Sequence, residues 1–146
     1  MYIFALSTLL SALMRVLTFG TFDHLHRGHR AYLEFAASKG DLFIIVARDT
    51  NVRSIKGRAP DHTEEERAAA LRQAFPNATV VLGDADDYLK PVRDIRPDLI
   101  VMGYDQMLPP GVREEDLPCP VARADSHEPH LFKSSILGTK TKGNNS

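Results

Sequence analysis

Along the chain, short runs of apolar and β-branched residues alternate with longer stretches in which apolar positions recur at three- and four-residue spacing. A buried strand needs the first pattern and an amphipathic helix the second, so the alternation predicts βαβ units on a mostly parallel sheet. Residues 15–19 (RVLTF) form the first expected strand. A turn with Gly20 and Gly28 follows, and residues 29–38 (HRAYLEFAAS) then show helical periodicity that stops at Gly40. Residues 42–47 (LFIIVA) are apolar without a break, as in a central strand covered on both faces. Thr63 reads as an N-cap with Glu66 three positions on, the spacing of a capping box, and the helix it opens runs to about Phe75, before Pro76. Residues 79–82 give a third strand, 86–95 a helix kinked or opened by Pro91, and 98–102 (DLIVM) a fourth strand. The Pro-, Gly- and charge-rich stretch 108–128 contains a short edge strand at 118–121, and the residues after Lys140 form a polar tail.

These elements predict an α/β fold, a Rossmann-like open parallel sheet of about five strands with helices on both faces. The chain is 146 residues long, enough for one core and too short for two, so a single domain at 14–140 is expected. At 43% hydrophobic and 25% charged it has the balance of an ordinary globular protein. Lys+Arg 18 against Asp+Glu 19 leaves no global basic field, which argues against long nucleic acid as a partner and requires any phosphate group to be held locally. Cys119 is the one cysteine, so an intrachain disulfide and a Cys-rich zinc site are excluded and a reducing, cytoplasmic setting is expected. Residues 1–13 (MYIFALSTLLSAL) form an apolar extension with no basic n-region and no clear cleavage motif, too short to span a bilayer. No membrane role is expected, and translation beginning at Met14 is the simpler reading.

The chemistry concentrates in residues 18–29 (TFGTFDHLHRGH), between the first strand and the first helix. In an open parallel sheet that is the carboxyl edge, where ligands bind. The turn Gly20, Thr21, Phe22, Asp23 and the helix start offer backbone N–H groups to an anion, aided by the helix dipole. His26 and His29 flank Gly28, so two imidazoles can converge on one phosphate while the glycine lets it approach the backbone. Near the other end Lys133, Ser134 and Ser135 place a charge beside hydroxyls at a helix start. Two such clusters suit a triphosphate. The competing reading makes the histidines ordinary surface residues of a polar turn. A zinc site of His24, His26 and His29 is countable too, but the turn reads better as an anion site.

At these residues the chain resembles a known family. GTFDHLHRGH looks like the HxGH signature of the cytidylyltransferase-like nucleotidyltransferases, and KSSILGTK resembles their C-terminal Ser/Thr-rich phosphate motif. VARDTNVRSIKGR, the EEER of the second helix, and VMGYDQ are most similar to archaeal-type FAD synthases, which adenylylate FMN. The resemblance implies in-line attack of an acceptor phosphate on the α-phosphorus of a nucleoside triphosphate, with pyrophosphate released and no covalent enzyme intermediate. It implies that His26, His29 and Lys56 are catalytic, with Lys56 closing over the phosphates from the flexible-looking stretch 51–59. It further implies that Arg67, Gly103 and Asp105 contact the nucleotide, that Ser134 and Ser135 hold its β/γ end, and that Mg2+ or another divalent cation arrives with the triphosphate. ATP is favoured over CTP and FMN over other acceptors, with Phe22, Tyr104 and Phe132 as candidates to line a flavin slot. Many such proteins are homodimers. The alternatives are a glycerol-3-phosphate cytidylyltransferase, an adenylyltransferase for sugar phosphates or phosphopantetheine, and a nucleotide-binding module without turnover. Lys56 and Arg67 also have the plainer reading of solvated charges, Asp23 that of a brace for the turn, and His24, His62, His127 and His130 that of surface residues.

Overall fold

The computed structural model describes residues 14–124. Its five strands are β1 (Arg15–Gly20), β2 (Asp41–Val46), β3 (Thr79–Leu82), β4 (Leu99–Met102) and β5 (Val121–Arg123). They form one sheet in the order β3-β2-β1-β4-β5, and every neighbouring pair is parallel. The helices are α1 (Arg27–Ala37), α2 (Asp49–Lys56), α3 (Glu64–Ala74) and α4 (Lys90–Ile95), with a 3-10 turn at Glu114–Asp116.

Alternate residues of each strand face opposite ways, and both faces are covered. Val16, Ile44 and Val101 point into a core shared with Leu33 and Ala36 of α1 and Ala68 and Leu71 of α3. Their neighbours Leu17, Ile45 and Ile100 point into a second core with Val92 and Ile95 of α4. The unbroken LFIIV run of β2 is thus explained by burial on two sides, as the pattern predicts.

Several boundaries differ from expectation for local physical reasons. Helix α1 starts at Arg27, ahead of the expected residue 29, because the His26 side chain caps it. Stretch 51–59, expected to be flexible, is mostly helix: α2 runs to Lys56 and ends at Gly57, whose φ of 82° favours glycine. Pro91 lies in the first turn of α4, so the helix begins at Lys90 rather than at 86. The edge strand falls at Val121–Arg123 rather than 118–121, since proline has no N–H to give a ladder and Pro120 serves only as acceptor from the Ile100 N–H. Among the described residues no helix is long and apolar enough to cross a membrane.

The sheet opens at one place. Strand β1 pairs with β2 along Arg15 to Gly20, but with β4 only at Val16↔Leu99 and Leu17↔Ile100. Past that point the two strands part, and side chains supply the missing partners. The Tyr32 hydroxyl of α1 donates to the Val101 carbonyl (2.6 Å) and accepts from the Phe19 N–H (3.4 Å). Gln106 Nε2 donates to the Phe19 carbonyl (2.6 Å). The connections after β1 and β4 leave in opposite directions here, which makes the opening the topological switch point of the sheet.

Candidate active site

The loop from β1 to α1 turns sharply, with Phe22 and His24 both at φ 56°. This left-handed backbone is costly for bulky L residues and concentrates at functional sites. Gly20 permits the Phe22 ring to fold inward, since a Cβ there would meet Phe22 Cε2 at 3.0 Å. Phe22 is only 4% exposed and packs edge to face on His29, with centroids 5.4 Å apart. It supports the histidine and also lines the cavity over the sheet opening.

His26 and His29 cap α1 together. His26 Nδ1 accepts from the N–H groups of Gly28 (3.1 Å) and His29 (3.3 Å), and His29 Nδ1 accepts from the His26 N–H (3.3 Å). This is a capping box built from two imidazoles, whose rings stack with centroids 3.7 Å apart. One expectation is corrected by it. The N–H groups of Gly28 and His29 bind the His26 ring, so they are not open to a phosphate. The space that a Gly28 Cβ would fill is taken by His26 Cε1, 3.0 Å away, so the absence of a side chain at Gly28 makes room for the ring. With Nδ1 accepting in both rings, the N–H that each ring has in this tautomer is at Nε2.

Burial lowers the His29 pKa most, the neighbouring His26 and Lys56 charges lower it further against a backbone hydrogen bond at His24, and the result is about 4. His29 is thus neutral at physiological pH, a hydrogen-bond donor rather than a cation.

Asp23 braces the turn. Its carboxylate accepts from the N–H groups of Asp61 (2.8 Å) and His62 (3.2 Å), and His62 Nδ1 lies 3.0 Å away. Burial pushes the carboxyl upward, but these hydrogen bonds and the His24 charge outweigh it and bring the pKa to about 2.

Arg67 corrects the expectation of a phosphate contact most clearly. Its side chain is buried, and it donates through Nε to the His62 carbonyl (3.0 Å) and through its terminal nitrogens to the Thr21 carbonyl (2.8 Å) and Asp49 Oδ1. With these bonds made it is a strut between α3, the β1–α1 turn and α2. Asp49 and Glu64 complete the joint, each carboxylate accepting from the other residue's N–H (3.2 and 2.7 Å) at the starts of α2 and α3. Sequence reasoning missed this exchange because each cap lies in a different helix.

Over the sheet opening lies a cavity of about 1470 Å³. Thr21, Asp23, His26, Gly28, His29 and Lys56 line it on one side, and Gly103, Tyr104 and Asp105 after β4 on another. Apolar side chains of α4 and the 108–117 loop, among them Val92, Leu108 and Leu117, extend it toward the second core. Gln106, present in GYDQ but not singled out, shapes this wall by accepting the Gly103 N–H (2.9 Å), and Arg123 donates to the carbonyls of Gly103 and Gln106. Arg67 does not line the cavity. Lys133, Ser134 and Ser135, with Phe132, His127 and His130, lie outside the described residues.

Comparison with known proteins fits this geometry. A family model described as cytidylyltransferase-like matches residues 17–129. The FAD synthase of Methanospirillum hungatei is 40% identical over 129 residues, covering 84% of this chain and 81% of that protein. The FAD synthase of Natronomonas pharaonis is 42% identical over 120 residues, covering 78% and 84%. Among solved structures, a lipopolysaccharide core biosynthesis protein from Thermoplasma volcanium superposes with a TM-score of 0.66 at 31% identity, over 75% of this chain and 94% of that one.

Proposed function

Because this chain belongs to the cytidylyltransferase-like family and is a nucleotidyltransferase, we propose that it transfers the adenylyl group of ATP to FMN, forming FAD and pyrophosphate. The observation that carries the site assignment is the stacked His26–His29 pair at the start of α1, lining a cavity over the switch point together with Lys56. A phosphate oxygen of FMN attacks the α-phosphorus of ATP, and the bond to the bridging α–β oxygen breaks. The electron pair leaves with pyrophosphate. The FMN phosphate is already ionised, so the attack needs no general base. Charge builds on the oxygens around the α-phosphorus and on the leaving group, and preorganised donors there lower the barrier. His26 and His29 supply Nε2–H donors at the positive end of α1, and Lys56 supplies a full charge at the end of α2.

Mg2+ or another divalent cation fits as part of the triphosphate. Asp105 lines the cavity with no bonded partner among the described residues and is the carboxylate open to such a cation there. One open carboxylate suits a cation held mainly by phosphate oxygens and water, whose charge then offsets that of the polyphosphate. Lys133, Ser134 and Ser135 are assigned to the β/γ end on the strength of their sequence motif.

The apolar extension of the cavity favours FMN as acceptor. A flavin ring needs such a chamber, lined in part by Tyr104, whereas glycerol 3-phosphate does not. Pyrophosphate release should be assayed with ATP or CTP against FMN, glycerol 3-phosphate, phosphopantetheine and sugar phosphates. ATP with FMN is expected to be the productive pair. Turnover only with CTP and glycerol 3-phosphate would replace the acceptor assignment, and triphosphate binding with no turnover would replace the enzyme by a binding module.

A further inference from the structure

On the flank of the cavity a second group of ligating atoms converges. Asp23, His24 and His62 each present one oxygen or nitrogen, and these atoms all lie within 4.8 Å of one another. His62 Nδ1 is 3.0 Å from Asp23 Oδ1, and the His24 and His62 rings meet edge to face with centroids 4.6 Å apart. Two ligands bound at ~2.0–2.2 Å with tetrahedral geometry stand roughly 3.4 Å apart, so side-chain adjustment alone brings this group to metal-binding distances. The backbone beneath is already set. His24 sits in the strained turn at φ 56°, and the N–H groups of Asp61 and His62 are anchored on Asp23. The two histidines are 61% and 46% exposed and do not line the cavity, so an ion has access from solvent and room for water ligands.

We infer that Asp23, His24 and His62 form a binding site for a transition-metal dication of the Zn2+ or Co2+ class, with Asp61 as its supporting carboxylate. Two imidazoles and one carboxylate suit such an ion, whereas Mg2+ and Ca2+ favour sites made of oxygen. Asp61 Oδ2, 2.6 Å from His24 Nε2, occupies the place of the carboxylates that orient metal-bound histidines. The ion joins the β1–α1 turn to the segment before α3, and it is separate from any cation that arrives with a nucleotide. The inference is independent of the acceptor and of turnover.

The test is calorimetric titration of the chelator-treated full-length chain with Zn2+, Co2+ and Mg2+, repeated on His24→Ala, His62→Ala and His26→Ala. One Zn2+ or Co2+ per chain is expected, weakened at least ~10-fold in the first two variants and unchanged in His26→Ala. Circular dichroism checks that each variant is folded, and Zn2+ is expected to raise the melting temperature of the natural chain but not of His62→Ala. Three outcomes overturn the inference: no saturable binding, affinity unaffected by His62→Ala, or loss in His26→Ala alone, which places the ion at the paired histidines. Equal affinity for Mg2+ overturns the chemical class.

Discussion

At the scale of single residues, the two imidazoles of the HxGH turn are both the N-terminal cap of α1 and the donors assigned to the polyphosphate, so site and helix stability depend on the same atoms. Gly28→Ala tests this link. Its Cβ would stand 3.0 Å from His26 Cε1, displacing the ring and weakening both cap bonds. A loss of about 1 kcal/mol in stability is expected together with a fall in kcat, read by urea denaturation and by turnover. His29 gives a pH signature. Its pKa of about 4 in the folded chain lies below the ordinary 6.5, so as pH falls the unfolded chain takes the proton first. The associated stability is fully present above pH 6.5 and is lost progressively as pH drops toward 4. The urea midpoint should therefore fall between pH 7 and 5, and fall less in His29→Gln; an equal fall in both would assign the acid sensitivity elsewhere.

At the scale of elements, the joint between α2, α3 and the catalytic turn rests on Arg67 and on the crossed caps of Asp49 and Glu64. Arg67→Met would strand the Asp49 carboxylate and the Thr21 and His62 carbonyls, with an expected cost of about 3 kcal/mol or more. Because the guanidinium stands outside the cavity, KM for the triphosphate is expected to stay near that of the natural chain at temperatures where the variant is folded. A large rise in KM with unchanged melting would restore Arg67 as a phosphate ligand. Tyr32→Phe removes the hydroxyl that bridges β1 and β4 and is expected to cost about 1–2 kcal/mol, read from the melting temperature. What was legible at this scale was what is local. The Thr63–Glu66 capping box and the period-two and helical patterns lie in contiguous residues, and the structure reproduces them. The start of α1 was missed because histidine is not an ordinary cap. Helix α2 was missed because DTNVRSIK has a thin apolar face, and Asn51, buried with Val52, is held by its bond to the Asp84 carbonyl far along the chain.

At the scale of the molecule, strand order places the site. The alternation of Val16 with Leu17, Ile44 with Ile45 and Val101 with Ile100 divides the chain into two cores, and helices on opposite faces force the crossovers apart at β1 and β4. The pattern of strands and helices placed the His26–His29 turn and Asp105 at the carboxyl edge of a parallel sheet, the family resemblance added Lys56, and strand order and the division into two cores came from the structure. The opening between β1 and β4, with Tyr32 and Gln106 closing its unpaired backbone, did not follow from pattern, because it depends on where two strands stop pairing. The most direct measurement is FAD and pyrophosphate formation from ATP and FMN, by the natural chain and by His29→Ala, with folding of both confirmed by circular dichroism. Equal yields of the two products are expected from the natural chain, with a kcat at least ~10²-fold lower in the variant. Undiminished turnover in His29→Ala, or a folded natural chain that makes no FAD, would contradict the proposed function.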